Sequence, residues 1–124
     1  MEIRKIGIAG AGLMGASMSQ IFARRGYDVV VYDAFESALE KGRRLVELNQ
    51  AAQVEAGEVT AAEAAQTLAA LRFTSELDAL ADRDIIIESI IEKLDVKQEF
   101  WAKLSRLVRP EAILTTNTSG LSID

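Results

Sequence analysis

The chain has 124 residues, 49% of them apolar, a formal net charge of -5, and neither cysteine nor histidine. That is one domain with enough apolar material for a core, and it excludes disulfides, a thiolate metal site and a basic nucleic-acid face. Without histidine the commonest general base at neutral pH and the commonest metal ligand are also missing.

The first stretch, "IRKIGIAG", places Ile3, Ile6, Ile8 and Ala9 before glycine and reads as a short buried strand. From residue 12 to residue 25 the period changes: Leu13, Met14, Met18, Ile21 and Phe22 recur near helical spacing. Arg24, Arg25 and Gly26 are helix-stop signals. "YDVVVYD" is a second strand, rich in β-branched and aromatic residues. From Glu36 to Ala56 the pattern is helical again, with Leu39, Leu45, Val46 and Leu48 apolar. It breaks at Gly57, and Thr60 with Glu63 forms a capping box that opens a further helix to about Leu71. "RFTS" is a short third strand, "ELDALA" a turn of helix and "DIIIESI" a buried fourth strand. "KLDVKQEFWAKLSRLV" is an amphipathic helix whose inner face carries Leu94, Phe100, Trp101, Leu104, Leu107 and Val108, and Pro110 ends it. "AILTTN" is the fifth strand.

This alternation predicts an α/β fold: a Rossmann-type doubly wound parallel sheet with a helical hairpin inserted between strands 2 and 3. No apolar run reaches the roughly 18 residues of a membrane span, and Met1 leads straight into a strand pattern without a signal peptide. The expectation is a cytoplasmic protein with no membrane or nucleic-acid partner. A doubly wound domain ordinarily continues past the fifth strand, so residues 1–124 are expected to be one unit truncated at its C-terminal end.

Gly10, Gly12 and Gly15 stand at the spacing G-x-G-x-x-G. Alone, that spacing also turns up in ordinary loops. Here it follows a strand, opens a helix, and is answered by an acid, Asp33, on the next strand, which is the context of a dinucleotide site. Gly10 allows the tight turn, Gly12 lets a pyrophosphate approach the backbone, and Gly15 lets the helix pack close to the sheet. The phosphates would sit at the helix N-terminus, where free N–H groups and the dipole favour anions. Asp33 would accept hydrogen bonds from the adenosine ribose and repel a 2′-phosphate. The next residues, Ala34 and Phe35, supply no arginine to bind one. The predicted cofactor is NAD rather than NADP, held by Gly10, Gly12, Leu13, Met14, Gly15 and Asp33.

A second set of polar residues follows the later strands: Glu88, Glu92 and Lys97 after the fourth, Asn117, Thr118 and Ser119 after the fifth. Ligands of doubly wound sheets bind outside the carboxyl ends of the strands, so the glycine loop, Glu92 and Ser119 would converge on one crevice. Two plainer readings stand beside this one. Glu88 and Glu92 are also what solvated loop acids look like, and Asn-Thr-Ser is also an ordinary turn cluster.

"GAGLMG" with Asp33, the helical hairpin, "ESIIEKLDVKQEFWAKL" and "AILTTNTSGLSI" together closely resemble the N-terminal domain of the L-3-hydroxyacyl-CoA dehydrogenase family, over Ile3 to Ile123. The resemblance implies hydride transfer between NAD and carbon 3 of a 3-hydroxyacyl thioester, within fatty acid metabolism. It implies that Glu92 and Lys97 lie near the nicotinamide half of NAD and that Ser119, the catalytic-site residue of this chain, hydrogen-bonds the substrate's 3-oxygen. Asn117 corresponds to the asparagine that shapes the loop beside the cofactor. A histidine oriented by a glutamate takes the hydroxyl proton in the family. It lies downstream of the serine, as does a helical C-terminal domain that makes the homodimer. The 124 residues alone are therefore expected to bind NAD but to be inactive or nearly so.

Two departures bear on substrate. Gly120 stands where the family commonly has a second serine, and the hairpin has no lysine or arginine between Arg44 and Arg72 but carries Glu47, Glu55, Glu58 and Glu63. An acidic hairpin holds CoA phosphates poorly. An acyl-CoA held by Arg43, Arg44 and a further domain stands against an acyl-carrier-protein-bound substrate. A non-catalytic NAD-binding sensor, a β-hydroxyacid dehydrogenase and a λ-crystallin-like protein are the other readings. The hairpin and "NTS" rather than "STS" argue against the last two.

Overall fold

A computed structural model describes residues 2–89, 94–108 and 110–116, with residues 94–97 and 116 described by their backbone alone. Five strands, β1 (Lys5–Ala9), β2 (Asp28–Tyr32), β3 (Leu71–Thr74), β4 (Ile85–Glu88) and β5 (Ile113–Thr116), form one sheet in the order β3-β2-β1-β4-β5. Every pairing is parallel. The helices are α1 (Leu13–Arg24), α2 (Glu36–Glu55), α3 (Ala61–Ala69) and α4 (Leu94–Ser105), with a 3-10 turn at Leu77–Leu80. This is the predicted Rossmann-type α/β sheet, with the α2–α3 hairpin between β2 and β3.

Why the strands are almost continuously apolar follows from the two cores. Side chains alternate across a strand. Ile6, Ile8, Val29 and Val31 enter one cluster with Ala23, Leu39 and the partly buried Phe22 and Phe73. Ala9, Val30 and Ile86 enter the other with Leu80, Phe100 and Leu104. A parallel sheet buried on both faces needs apolar residues at both parities, which is what "VVV" supplies.

The stop signals act as predicted. Past α1, the N–H of Gly26 donates to the Ala23 carbonyl (3.1 Å) and that of Tyr27 to the Phe22 carbonyl (3.2 Å). In the capping box Thr60 Oγ1 accepts from the Glu63 N–H (3.1 Å), while Glu63 Oε1 accepts from the Thr60 N–H (2.8 Å). Those bonds hold the Glu63 carboxyl below its ordinary value. The last helix ends earlier than the sequence suggests, at Ser105, and Arg106–Val108 finish it as a turn with Leu107 N–H on the Leu104 carbonyl (2.9 Å). Pro110 disfavours helical backbone in the residue before it, so the helix closes ahead of that point.

The apolar stripe of α1 needs correcting. Leu13 and Ile21 are 72% and 56% exposed and Met14 is exposed too. The buried face is Gly15, Ala16, Ser19, Gln20 and Ala23. This helix lies against the sheet and both hairpin helices, so small residues take the closest contact, Leu13, Met14 and Ile21 turn outward, and of the predicted stripe only Met18 and Phe22 pack, partly buried, on the core. Leu48 of α2 is likewise exposed, while Leu39, Gly42, Val46 and Gln50 form that helix's buried face.

A buried polar network fastens the hairpin to α1. Arg24 Nε donates to Thr67 Oγ1 (2.7 Å), its Nη2 to Gln50 Oε1, and Gln50 Nε2 to Gln20 Oε1 (2.6 Å). Gln50 of α2, which is 2% exposed, thereby binds two residues of α1, and Arg24 carries the link on to Thr67 of α3. Gln50→Ala is expected to lower unfolding free energy by about 2–3 kcal/mol, because it strands a buried amide and a guanidinium as well as leaving a cavity. Urea denaturation would measure it, and a loss under 0.5 kcal/mol would contradict this role.

The opposite end of the sheet from the strands' carboxyl ends is tied by charge. Asp84 Oδ2 accepts the N–H groups of Arg4 (2.8 Å) and Lys5 (2.9 Å). Arg83 donates to Asp28 Oδ1 (2.9 Å) and to Asp82. Arg83 first, then Lys5, lowers the Asp82 carboxyl below its ordinary value against a partial cost of burial. A depressed carboxylate stabilises the fold above its unfolded pKa and loses that contribution as pH falls through the folded one. Stability should therefore decline below about pH 4, with a shallower decline in Asp82→Asn, seen in thermal melts between pH 3 and 6.

Candidate functional site

The strand order reverses beside β1. β2 lies on one side of it and β4 on the other, so a crevice opens outside the carboxyl ends of β1 and β4. The glycine turn stands at that point. Gly10 follows β1 with φ +115°, a left-handed value that favours glycine, and its N–H donates to the Tyr32 carbonyl at 2.7 Å. Gly12 is the N-cap of α1, with extended backbone and no side-chain cap. A Cβ added there would meet nothing within 4 Å. The first intrahelical bond runs from Ala16 N–H to the Gly12 carbonyl (2.8 Å). The N–H groups of Leu13, Met14 and Gly15 precede it in the first turn of the helix. The first turn carries no acidic residue. A helix N-terminus without a side-chain cap or an acidic first turn favours an anion.

Gly15 has the tightest surroundings of the three. A Cβ there would lie 1.9 Å from the Gly10 carbonyl oxygen. Asp33 lies one residue past β2. Its Oδ2 accepts from the Ala11 N–H (3.0 Å) and its Oδ1 from the Phe35 N–H (3.0 Å), while its own N–H donates to the Thr74 carbonyl (3.2 Å). The carboxylate thus ties the glycine turn to the loop that opens α2. Each oxygen keeps a further lone pair for an incoming hydroxyl. The sequence pattern placed Asp33 beside the turn, but not this bond to Ala11, since nothing in the spacing specifies an Ala11 donor.

Glu88 ends β4 beside Ala9 of β1 and is 1% exposed, so the solvated-loop reading fails for it. Ser89 follows, buried, with its N–H on the Ala9 carbonyl at 2.7 Å. Lys97 falls within α4, in the part described by backbone alone, and Glu92, Asn117, Thr118 and Ser119 lie outside the described residues. The structure therefore brings Gly10, Gly12, Leu13, Met14, Gly15, Asp33 and Glu88 to one end of the sheet. Arg43 is exposed and stacks over the Phe73 ring with its guanidinium 5.4 Å from the ring centre. No cluster of acidic residues that could hold a metal occurs among the described residues, nor any helix long and apolar enough to cross a membrane.

Residues 5–124 match the family model described as 3-hydroxyacyl-CoA dehydrogenase, NAD binding domain. The chain belongs to this family. A 3-hydroxybutyryl-CoA dehydrogenase of Mycobacterium tuberculosis is 38% identical over 98% of this chain and 43% of its own length. The 3-hydroxyadipyl-CoA dehydrogenase of Escherichia coli K12 is 32% identical over 99% of this chain and 26% of its own. Among solved structures, M. tuberculosis FadB2 superposes with a TM-score of 0.92 at 38% identity, covering 96% of this chain and 42% of that one. The E. coli 3-hydroxybutyryl-CoA dehydrogenase gives 0.93 at 32% identity, covering 99% of this chain and 26% of that one. The chain thus spans less than half the length of these relatives. As a member of this NAD-binding domain family, it takes NAD as cofactor. The groups at the switch point fit that cofactor: backbone N–H groups at the start of α1 for a pyrophosphate and an acidic acceptor for a ribose.

Proposed function

We propose that this domain supplies the cofactor half of an NAD-dependent dehydrogenase acting on a 3-hydroxyacyl-CoA. The observation that carries the proposal is the glycine turn and Asp33, joined at the switch point of a chain whose relatives are 3-hydroxyacyl-CoA dehydrogenases. Gly10, Gly12, Leu13, Met14 and Gly15 hold the pyrophosphate through backbone N–H groups. Asp33 takes the adenosine ribose hydroxyls and, being anionic, rejects a 2′-phosphate. Glu92 and Lys97 lie near the nicotinamide half, and Asn117 shapes the cofactor-side loop beside Ser119. Ser119 donates to the substrate's 3-oxygen. NAD, when bound, accepts the hydride released from carbon 3. The hydroxyl proton must leave at the same time, and a neutral serine is not a base strong enough to take it. The chain has no histidine for that step. The 124 residues by themselves should bind the cofactor and turn over slowly or not at all.

Calorimetric titration with NADH and NADPH tests the cofactor reading, and NADPH binding as tightly as NADH would overturn it. A steady-state assay of the same polypeptide with acetoacetyl-CoA and NADH tests the second reading, which a turnover above 1 s⁻¹, the lower end of about 1–10³ s⁻¹ for enzymes, would overturn. The exposed Glu47, Glu55, Glu58 and Glu63 of the hairpin favour a second reading of the substrate, a thioester on an acyl carrier protein. Turnover of the protein with its further domain on CoA-bound and carrier-bound acetoacetyl thioesters separates the two. Homodimerisation belongs to that further domain and is measured by its sedimentation.

A further inference from the structure

The glycine turn is gripped from a direction that the G-x-G-x-x-G spacing does not include. Gly42, in the second turn of α2, is buried, and a Cβ placed on it would lie 2.6 Å from the Ala11 carbonyl oxygen and 3.3 Å from the Ala11 Cβ. No real Cβ tolerates 2.6 Å from a backbone oxygen, so α2 can approach the turn this closely only because residue 42 has no side chain. The Ala11 residue is therefore held on two sides. Its N–H is taken by Asp33 Oδ2 at 3.0 Å, and its carbonyl abuts Gly42. Ala11 itself is 1% exposed, so the turn has no solvent side into which it could yield.

The two constraints share a lever. α2 begins at Glu36, directly after the Asp33–Phe35 segment, in which the Asp33 carboxylate accepts from both the Ala11 and the Phe35 N–H groups. The far part of α2 is locked to α1 by Gln50, bonded to Gln20 and Arg24. A shift of α2 away from Ala11 would strain both ends at once, so a side chain at residue 42 would push the turn instead. The turn carries the N–H groups at the start of α1, and a misplacement of about 1 Å at such groups is enough to cost binding or rate.

We infer that Gly42 is a positioning residue for the NAD site: it is the fourth glycine of the cofactor turn, and it sets the Ala11 peptide, and through it the Asp33 carboxylate, in the geometry that binds the adenosine half of the cofactor. This rests on the proposal that NAD lies on the glycine turn. It adds a contact from the hairpin helix that no part of the glycine spacing predicts. The chemistry is steric. Gly42 touches no cofactor atom and acts only by letting α2 and the turn meet.

The test compares Gly42→Ala with Val46→Ala and Asp33→Ala. Val46 is buried one turn further along α2, away from the turn. Alanine is a better helix former than glycine, so Gly42→Ala is expected to fold. NADH affinity measured by calorimetry should fall about tenfold or more in Gly42→Ala and stay within twofold in Val46→Ala, which reports a purely structural loss. In the double variant Gly42→Ala/Asp33→Ala the losses should be less than multiplicative, because both act on one Ala11 peptide. The Ala11 amide proton, downfield in the unaltered chain through its carboxylate bond, should move upfield in Gly42→Ala. On the unaltered chain, independently of any variant's folding, the Gly42 Hα resonances should shift on saturation with NADH. A Gly42→Ala loss under threefold, independent multiplicative losses, or unmoved Gly42 resonances would each overturn the inference. If instead Asp33→Ala binds NADH as the unaltered chain does, it is the proposed cofactor site that fails, and this inference with it.

Discussion

Replacing Gly15 with alanine is expected to weaken NADH binding by about 100-fold or more while leaving most secondary structure in place. The added Cβ would stand 1.9 Å from the Gly10 carbonyl oxygen, 3.0 Å from the Gly10 carbonyl carbon and 3.4 Å from the Ile8 side chain. The first contact is too short by more than 1 Å, and its partner is backbone, which cannot swing aside like the end of a side chain. Gly10 is held at φ +115° and by its bond to Tyr32, so the helix must move. Overpacking of this kind costs about 1–3 kcal/mol, more than the roughly 1 kcal/mol that alanine gains over glycine inside a helix. The displaced segment is the first turn of α1, whose N–H groups are proposed to hold the cofactor phosphates. A shift of about 1 Å there accounts for a two-decade loss. Calorimetry with NADH, alongside circular dichroism to confirm folding, measures both parts. Affinity within threefold of the unaltered chain would mean that the phosphates do not use this turn.

Asp33→Ala should show the second large effect, again near 100-fold in NADH affinity, together with the loss of preference for NADH over NADPH. Three acceptor functions disappear at once. The Ala11 and Phe35 N–H groups lose their partner, and so, in the proposed site, does the ribose. Bonds to a charged acceptor contribute about 1.5–3 kcal/mol each. The Phe35 contact is exposed, so water replaces much of it, whereas Ala11 is buried and its N–H is left in want of an acceptor. Stability should fall by about 1–2 kcal/mol from that group. The loss of discrimination follows from removing the carboxylate that, in the proposed site, repels a 2′-phosphate. Parallel titrations with both reduced cofactors decide it: a retained preference for NADH would place the source of selectivity elsewhere.

The two substitutions differ in what the sequence reveals about them. Gly15 and Asp33 are visible as spacing, because a strand, a turn and a helix of known rise put them at one end of β1 and β2. Gly42 is not, since a single glycine within a helical pattern reads only as a weak helix former. Glu88 could be taken for a loop acid until the register placed it opposite Ala9, between two strands and out of solvent. The large residues of α1 misled in the same way. Leu13, Met14 and Ile21 look like a core stripe, yet the helix packs through Gly15, Ala16, Ser19 and Ala23, because close approach to the sheet and hairpin rewards small volume over apolar area. Periodicity counts apolar residues and does not weigh how near the neighbour comes.

What the sequence alone determined is the part controlled by local rules. Alternating strand and helix periods dictate a parallel doubly wound sheet. A capping box and a glycine stop set helix ends, and the glycine spacing with an acid on the next strand names a dinucleotide. The tertiary structure decided everything that depends on distance between segments remote in the chain. It chose which face of α1 is buried, tied Asp33 to Ala11, locked the hairpin through Gln20, Gln50, Arg24 and Thr67, and brought Gly42 against the cofactor turn. These contacts join residues that no helical or strand period relates, so only the packed chain, where volume and hydrogen-bond geometry must be satisfied together, specifies them.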